Sequence, residues 1–143
     1  GLGVVPEGTM QSLPIGKGQM LRKGRRIAML AFGSMLGVAK DVAEACDATL
    51  VNMRFAKPID EDIVREVATS HSIIVTLEEN ALIGGVGSEV ARILEPLSSR
   101  PRLLRLGLPD QFIDHGDQAQ LLASVGLDKA GILASIERLA EAC

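Results

Sequence analysis

The chain has 143 residues, 47% of them hydrophobic, so it can bury a core of its own and is predicted to form one compact domain. Its net charge is only -3 and its only aromatic residues are three phenylalanines, which argues against a nucleic-acid-binding face or a basic membrane-binding surface. Cys46 and Cys143 lie far apart and outside any CxxC or Cys/His cluster, so we expect reduced thiols in a cytoplasmic protein.

The N-terminal stretch, residues 1–18, is rich in glycine and contains Pro6 and Pro14, which predicts an irregular linker arm from a preceding domain. Residues 19–143 are then expected to form the domain itself. The chain begins with Gly1 rather than Met, which suggests a fragment of a larger protein. We expect no membrane partner, because no apolar run has the length of a membrane-spanning segment and no secretory leader is recognisable.

Strand and helix patterns alternate through the rest of the chain. Apolar runs predict strands at Gln19 to Arg22, Ile27 to Phe32, Ala48 to Met53, Ile73 to Leu77 and Leu103 to Leu106. Helical spacing follows four of these strands, with N-caps expected at Ser34, Asp60, Ser88 and Asp117 and with the last helix starting at Asp128. This order predicts an α/β fold with a mostly parallel sheet covered on both faces.

The stretch from Ile73 to Glu95 combines a buried strand, an acidic tip, a glycine turn and a helix. Glu78, Glu79 and Asn80 follow the apolar run, and adjacent strand residues point to opposite faces, so the two glutamates cannot easily act on one atom. A structural role is therefore favoured over acid/base catalysis, either accepting loop amides or meeting a basic residue of a partner domain.

Gly84, Gly85 and Gly87 precede the helix in a manner similar to a phosphate-cradling turn. The spacing matches neither the dinucleotide nor the P-loop motif, and Glu89 in the first helical turn would repel a phosphate. Close packing of the helix on the sheet is the favoured interpretation, and anion binding stays open as the alternative.

The two histidines are weak functional candidates. His71 is expected to be a solvated loop residue. His115, beside Asp114 and near Asp110, could shuttle protons or bind a metal, but a hydrogen bond that stabilises the turn is favoured. The residues alone give no complete catalytic constellation.

Five phrases in one order carry a resemblance to a known family. They are Leu13-Pro14-Ile15-Gly16-Lys17-Gly18, Leu30-Ala31-Phe32-Gly33-Ser34, Met53-Arg54-Phe55-Ala56-Lys57-Pro58-Ile59-Asp60, Val75-Thr76-Leu77-Glu78-Glu79-Asn80 with Gly84-Gly85-Val86-Gly87-Ser88, and Leu106-Gly107-Leu108-Pro109-Asp110 with Phe112-Ile113 and His115-Gly116. Together they resemble the C-terminal domain of the 1-deoxy-D-xylulose-5-phosphate synthase family of transketolase-like enzymes.

The resemblance implies a parent enzyme that uses thiamine diphosphate and Mg to condense pyruvate with D-glyceraldehyde 3-phosphate, with loss of CO2. Its product feeds isoprenoid, thiamine and pyridoxal synthesis. The motifs that hold metal and diphosphate are absent from this chain, so no catalytic, cofactor-binding or metal residue is assigned to it and no bound cofactor is expected.

For this domain the resemblance implies a three-layer α/β/α sandwich with a mostly parallel, roughly five-stranded mixed sheet, and a role in assembling a homodimer. The segment Gln19 to Arg22 would be the antiparallel strand and the Ile73 strand the middle one. Loops Glu78 to Ser88 and Leu108 to Gly116 would face the remaining domains. Candidate interdomain or anion contacts are Glu78, Glu79, Asn80, Gly84, Gly85, Gly87, Asp110 and His115.

Two alternatives stay open at this point. One is the related C-terminal domain of a 2-oxoacid dehydrogenase E1 β subunit, which shares the glutamate and the glycine turn but not the Gly-Leu-Pro-Asp phrase. The other is a non-catalytic regulatory module that binds an anion or a protein at the glycine turn.

Overall fold

A computed structural model of the chain describes residues 12–113 and 115–141. The predictions for residues 1–11, for Asp114 and for Cys143 lie outside these residues. The strands are β1 (Gln19–Arg22), β2 (Ile27–Ala31), β3 (Thr49–Asn52), β4 (Ile73–Ala81) and β5 (Arg102–Leu108). The helices are α1 (Leu36–Ala45), α2 (Glu61–Ser70), α3 (Val86–Leu94), α4 (Gln118–Ser124) and α5 (Lys129–Glu141), and a 3₁₀ turn at Gly33–Met35 precedes α1.

The strands form one five-stranded mixed sheet in the order β1-β3-β2-β4-β5. β1 pairs antiparallel with β3, whereas β3, β2, β4 and β5 run parallel to one another. The predicted mixed sheet with an antiparallel first strand is therefore confirmed. The prediction that the Ile73 strand is the middle one is wrong, because β2 is central and all five of its residues are buried.

Two apolar clusters cover the two faces of the sheet. Along β2 and β4 alternate residues belong to opposite clusters, as the period-two geometry of a strand requires. Met29 and Val75 pack with α1 and α5 on one face, and Leu30 and Ile74 pack with α2 and α3 on the other. This arrangement confirms the three-layer α/β/α sandwich.

β4 is longer than the sequence predicts, since it continues from Leu77 to Ala81. The strand stays paired with β5, where Ala81 lies opposite Leu108 after an irregularity in the register. Glu78, Glu79 and Asn80 therefore lie within a strand rather than in a loop. The sheet fixes the directions of these side chains.

One described segment, Gln118–Glu141, passes a length and composition test for a membrane-spanning helix, because an 18-residue window within it has a mean hydropathy of 1.2. In the structure the segment is two helices, interrupted where Gly126 adopts a φ of +73°. The longer helix, α5, has 13 residues, whereas a spanning helix needs about 20. Leu127, Ile132 and Ile136 are buried in the cluster on the α1 side.

Candidate functional site at the carboxyl edge of the sheet

One edge of the sheet collects the loops that the sequence singles out. The parallel strands β2, β3, β4 and β5 end there, at Ala31, Asn52, Ala81 and Leu108, and we call it the carboxyl edge. The antiparallel strand β1 begins at the same edge, because Gln19 lies opposite Asn52. In open α/β sheets this edge is where ligands and partners gather.

Glu78 is the fully buried carboxylate of this edge, with 0% of its surface exposed. Its two oxygens accept hydrogen bonds from the backbone N–H groups of Val86 and Gly87, each at 2.8 Å. These groups are at the start of α3, where unpaired amides and the helix dipole favour a negative charge. Glu78 thus satisfies the loop amides, one of the two structural roles expected from the sequence.

The same contact bears on the anion hypothesis for the glycine turn. The position that a phosphate would take at the start of α3 is occupied by the Glu78 carboxylate. An external anion would have to displace a buried group of the same charge. Glu78 and Gly87 are buried within the domain, whereas the other candidate contact residues are exposed or half-buried, and the contact role of these candidates stays a prediction.

The glycines of the turn allow the close approach of α3 to the sheet. A Cβ atom on Gly85 would lie 2.4 Å from the Ala81 carbonyl oxygen and 2.5 Å from a Glu78 carboxylate oxygen. A Cβ atom on Gly87 would lie 2.8 Å from the Thr76 hydroxyl oxygen. All three distances are shorter than real side chains tolerate, so tight helix-to-sheet packing accounts for these two glycines. Gly84 differs, because it is exposed and has a φ of +72°.

Glu79 points to the opposite side from Glu78, as the strand alternation predicts. The Ser34 hydroxyl and the Gln118 amide nitrogen donate to its two carboxylate oxygens, the second over 2.7 Å. These hydrogen bonds, that from Ser34 foremost, hold the pKa of Glu79 below its usual range. Glu79 therefore ties β4 to the turn after β2 and to α4, beside a cavity of about 380 Å³.

Neither of the two serines predicted to cap helices acts as an N-cap. Ser34 makes no cap hydrogen bond, because a 3₁₀ turn begins at Gly33, and its hydroxyl bonds Glu79 instead. Ser88 lies inside α3, whose N-cap is Gly85, and its hydroxyl accepts from Arg105 over 2.9 Å. The predicted caps Asp60 and Asp117 are confirmed.

Arg54 belongs to the carboxyl edge but escaped the sequence reasoning. It lines a second cavity of about 420 Å³ together with Ser34, Glu79 and Asn80. Its backbone has a φ of +57°, its amide donates to the Asn52 side chain over 3.1 Å, and its guanidinium donates to Gln19. Arg54 directly follows a predicted strand, which is the signal that could have marked it.

The remaining candidates lie apart from these contacts. Asp110 and His115 are exposed on the loop between β5 and α4, and Asn80 is exposed at the end of β4. His71 is not the solvated residue expected, because its ring nitrogens lie 2.8 Å from the Thr49 hydroxyl and 2.9 Å from the Val67 carbonyl oxygen. Within residues 12–113 and 115–141, no three His, Cys, Asp or Glu side chains group closely enough to hold a metal ion.

Cys46 is half-buried at the end of α1, packed against the apolar cluster on the α1 side. Burial raises the pKa of its thiol, so the reactive thiolate is disfavoured. Cys46 therefore packs as a small apolar residue.

Comparisons with known proteins place the geometry in context. A family model described as transketolase, C-terminal domain, matches residues 16–132. The chain is 68% identical over 137 residues to a 1-deoxy-D-xylulose-5-phosphate synthase of Azoarcus sp. (strain BH72), covering 96% of this chain and 22% of the relative. It is 63% identical over 138 residues to the protein of that name in Aromatoleum aromaticum, again covering 96% of this chain and 22% of the relative.

A solved structure titled "Split gene transketolase, inactive beta4 tetramer" is similar in fold, with a TM-score of 0.82 and 30% sequence identity. The match covers 94% of this chain and 46% of that chain. The chain thus spans about 22% of the length of the curated relatives it matches.

Proposed function

This chain belongs to the transketolase C-terminal domain family, and from that premise we propose that it is the structural and dimerisation domain at the C-terminus of a 1-deoxy-D-xylulose-5-phosphate synthase. The observation that carries the proposal is the 68% identity to a protein of that name over 96% of this chain. The same identity favours this parent over a 2-oxoacid dehydrogenase E1 β subunit.

The parent enzyme would condense pyruvate with D-glyceraldehyde 3-phosphate, with loss of CO2, as a cytoplasmic homodimer using thiamine diphosphate and Mg. In this proposal the parts of the parent outside this chain hold the cofactor and the reacting groups. The described residues do not fit a diphosphate with its metal. The glycine-led start of α3 is occupied by the Glu78 carboxylate.

The domain would act by offering a rigid edge to the rest of the parent. Rigidity is supported by the hydrogen bonds of Glu79, which connect three elements at the carboxyl edge. Of the candidate contacts, the exposed or half-exposed Glu79, Asn80, Gly84, Asp110 and His115 would face the other domains. Glu78, Gly85 and Gly87 would serve by keeping α3 close to the sheet.

A domain exchange tests the proposal. Residues 1–143 would replace the matching C-terminal segment of the Azoarcus sp. relative, with a truncated relative lacking that segment as the control. We expect the chimera to form dimers and to release CO2 from pyruvate only when D-glyceraldehyde 3-phosphate is added, and the truncated protein to do neither. A dimeric, folded chimera without this activity would contradict the proposed parent.

The isolated chain gives a second test. We expect calorimetry to detect no binding of thiamine diphosphate with Mg, because the N-terminus of α3 in this chain already binds the Glu78 carboxylate. Tight cofactor binding by the isolated chain would contradict the assignment of the cofactor site to other domains.

A further inference from the structure

The two outer strands of the sheet differ in how open they are to a further strand. β1, on one side, has only four residues and a shifted register between Met20 and Arg22. β5, on the other side, has seven residues and pairs with β4 without a register shift from Arg102 to Leu106. Short or bulged edge strands resist pairing with another chain, and longer regular ones accept it. β5 is therefore the edge strand of this sheet that can take up a further strand.

The hydrogen bonds of β5 show which of its backbone groups have no neighbour. The Arg102 amide donates to the Ser72 carbonyl oxygen over 2.9 Å, so this residue bonds toward β4. In a parallel ladder every second residue of a strand directs both of its backbone groups to the same neighbour. The amides and carbonyls of Leu103 and Arg105 therefore point away from β4, and no other strand in the described part of the chain pairs with β5. These groups are two donors and two acceptors that a further strand could use.

A groove of about 450 Å³ lies beside β5. Arg105 and Leu106 of β5 line one side of the groove, and α5 lines the other. The α5 residues are Gly131, Ala134 and Ser135, which share one face of the helix and carry no long side chain. The groove therefore leaves room for an extended chain next to the strand.

The groove is positively charged, although the net charge of the chain is -3. Arg105 and Arg138 are exposed and line the groove, and no Asp or Glu is among its described lining residues. The Arg105 guanidinium donates to the Ser88 hydroxyl and the Arg138 guanidinium to the Ser135 hydroxyl, each over 2.9 Å. Neither arginine forms an ion pair within residues 12–113 and 115–141. A carboxylate from a partner would supply the counter-charge that both guanidiniums lack.

We propose that β5 and this groove form a binding site for an extended acidic segment of another protein, which adds to the sheet as a sixth strand. The backbone of the segment pairs with Leu103 and Arg105, and its carboxylates bind the two guanidiniums. Arg105 lies on the α3 face of β5, since it bonds Ser88, and Arg138 belongs to α5 on the opposite face. Adjacent strand residues point to opposite faces, so two consecutive carboxylates reach one arginine each. The inference goes beyond the proposed function and does not rest on it.

A second copy of β5 is a poorer occupant of this site. An antiparallel pair of two β5 strands, centred on their middle residue, places the Arg105 side chains of the two copies opposite each other. Like charges directly opposite each other destabilise a strand pair. This argument concerns β5 alone, and the dimerisation proposed above would use other surfaces of the domain.

A peptide titration followed by amide NMR and hydrogen exchange tests the site on the 143-residue chain. The probe is a hexapeptide with blocked ends and the sequence threonine-valine-glutamate-glutamate-valine-threonine. At saturating peptide we expect the Leu103 and Arg105 amides to exchange at least about tenfold more slowly, because these N–H groups gain an acceptor. The amides of Leu104 and Leu106, which bond toward β4, should keep their exchange rates. Protection at alternate residues distinguishes strand addition from adsorption of the peptide on the surface.

Two altered peptides separate charge from backbone pairing. The peptide with glutamine in place of both glutamates should bind at least about tenfold more weakly, because it lacks the charges that pair with the guanidiniums. The glutamate peptide with alternate amides N-methylated keeps its charge but cannot complete the ladder. It should leave the Leu103 and Arg105 amides unprotected.

A pair of matched variants tests the groove itself. Arg138→Glu should weaken binding of the glutamate peptide at least about tenfold, because a like charge then faces one of its carboxylates. Lys40→Glu makes the same charge change at an exposed position of α1 outside the groove, and it should alter the affinity by less than about twofold at physiological ionic strength. Urea midpoints equal to that of the wild type show that both variants are folded, and Arg138→Gln repeats the test without adding a negative charge.

Three results would overturn the proposal. The first is a lack of protection at Leu103 and Arg105 with saturating glutamate peptide, or equal protection at Leu104 and Leu106. The second is equal affinity for the glutamate and glutamine peptides, or an equal loss of affinity in Arg138→Glu and Lys40→Glu. The third is protection of Leu103 and Arg105 that appears without peptide as the concentration of the chain rises, since a second copy would then be the occupant.

Discussion

The buried carboxylate of Glu78 is predicted to be the largest single polar contribution to the stability of this domain's carboxyl edge. Replacing Glu78 by Gln keeps the shape of the side chain but presents an amide N–H2 group to one of the two backbone donors at the start of α3. Replacing it by Ala removes both acceptors. In each variant a backbone N–H group that now bonds Glu78 at 2.8 Å loses its partner.

The magnitude follows from the desolvation of the groups left unpaired. A buried donor without a partner costs about 1–3 kcal/mol, and hydrogen bonds to a charged group are the stronger kind. Glu78→Gln orphans one donor and is expected to cost about 2 kcal/mol, and Glu78→Ala orphans two and should cost about 3–5 kcal/mol. Because a domain is stable by only about 5–15 kcal/mol, the alanine variant should approach the limit of folding.

Urea unfolding of the isolated chain, followed by circular dichroism, measures these losses. The matched control is Glu79→Gln, the same change one residue along β4, which is expected to cost less than about 1 kcal/mol because Glu79 is partly solvated. Amide NMR shifts of Val86 and Gly87 should change in Glu78→Gln and not in the control. Equal losses of unfolding free energy in the two glutamine variants would refute the reasoning, because the burial of Glu78 and its two amide donors would then add nothing to the stability of the domain.

Three further predictions concern the same region. Gly87→Ala should destabilise the domain by about 1–3 kcal/mol, because the added Cβ overlaps with Thr76. Gly37→Ala in α1 should stabilise the domain by about 0.5–1 kcal/mol, because a Cβ there meets nothing within 4 Å. Thermal unfolding of the two variants measures both changes. Thr76→Val should raise the free energy of unfolding by about 1 kcal/mol, because the buried Thr76 hydroxyl has no hydrogen-bond partner among the described residues. Urea unfolding at equal protein concentration measures the change. A lower urea midpoint in the variant would contradict the prediction, because it would mean that the hydroxyl is hydrogen-bonded. Because the pKa of Glu79 is lowered in the folded state, its contribution to stability is complete above the unfolded pKa of about 4.3 and is lost as the pH falls through the folded pKa. Glu79→Gln should therefore flatten the decline in urea midpoint between about pH 5 and pH 3. An unchanged slope would contradict this prediction.

Local signals in the sequence predicted the elements well where side chain and backbone act within a few residues. Asp60 and Asp117 cap α2 and α4 as predicted, because an Asp side chain reaches the amides two or three residues ahead in any helix start. The predicted cap at Ser34 was wrong for the opposite reason, because its contact is not local. Ser34 found a stronger acceptor in Glu79, 45 residues away in the chain, and no local pattern encodes that contact.

The carboxyl edge shows most clearly which features the sequence predicts and which depend on the tertiary structure. The alternation of a strand was enough to predict that Glu78 and Glu79 point to opposite sides, and the glycine pattern was enough to favour close packing over an anion site. The sequence did not indicate that Glu78 itself is the anion at the start of α3. That assignment depends on β4 continuing to Ala81, which in turn depends on its pairing with β5.

The amino-acid sequence by itself determined the alternation of strands and helices, the α/β class and the family, because these depend on periodicity and on ordered local phrases. Only the tertiary structure decided the order of the strands, with β2 rather than β4 at the centre. It alone brought Ser34, Glu79 and Gln118 together, and it alone placed Arg105 and Arg138 on one groove beside β5. The physical reason is that these contacts join residues far apart in the chain, and their energies arise only when the sheet has assembled.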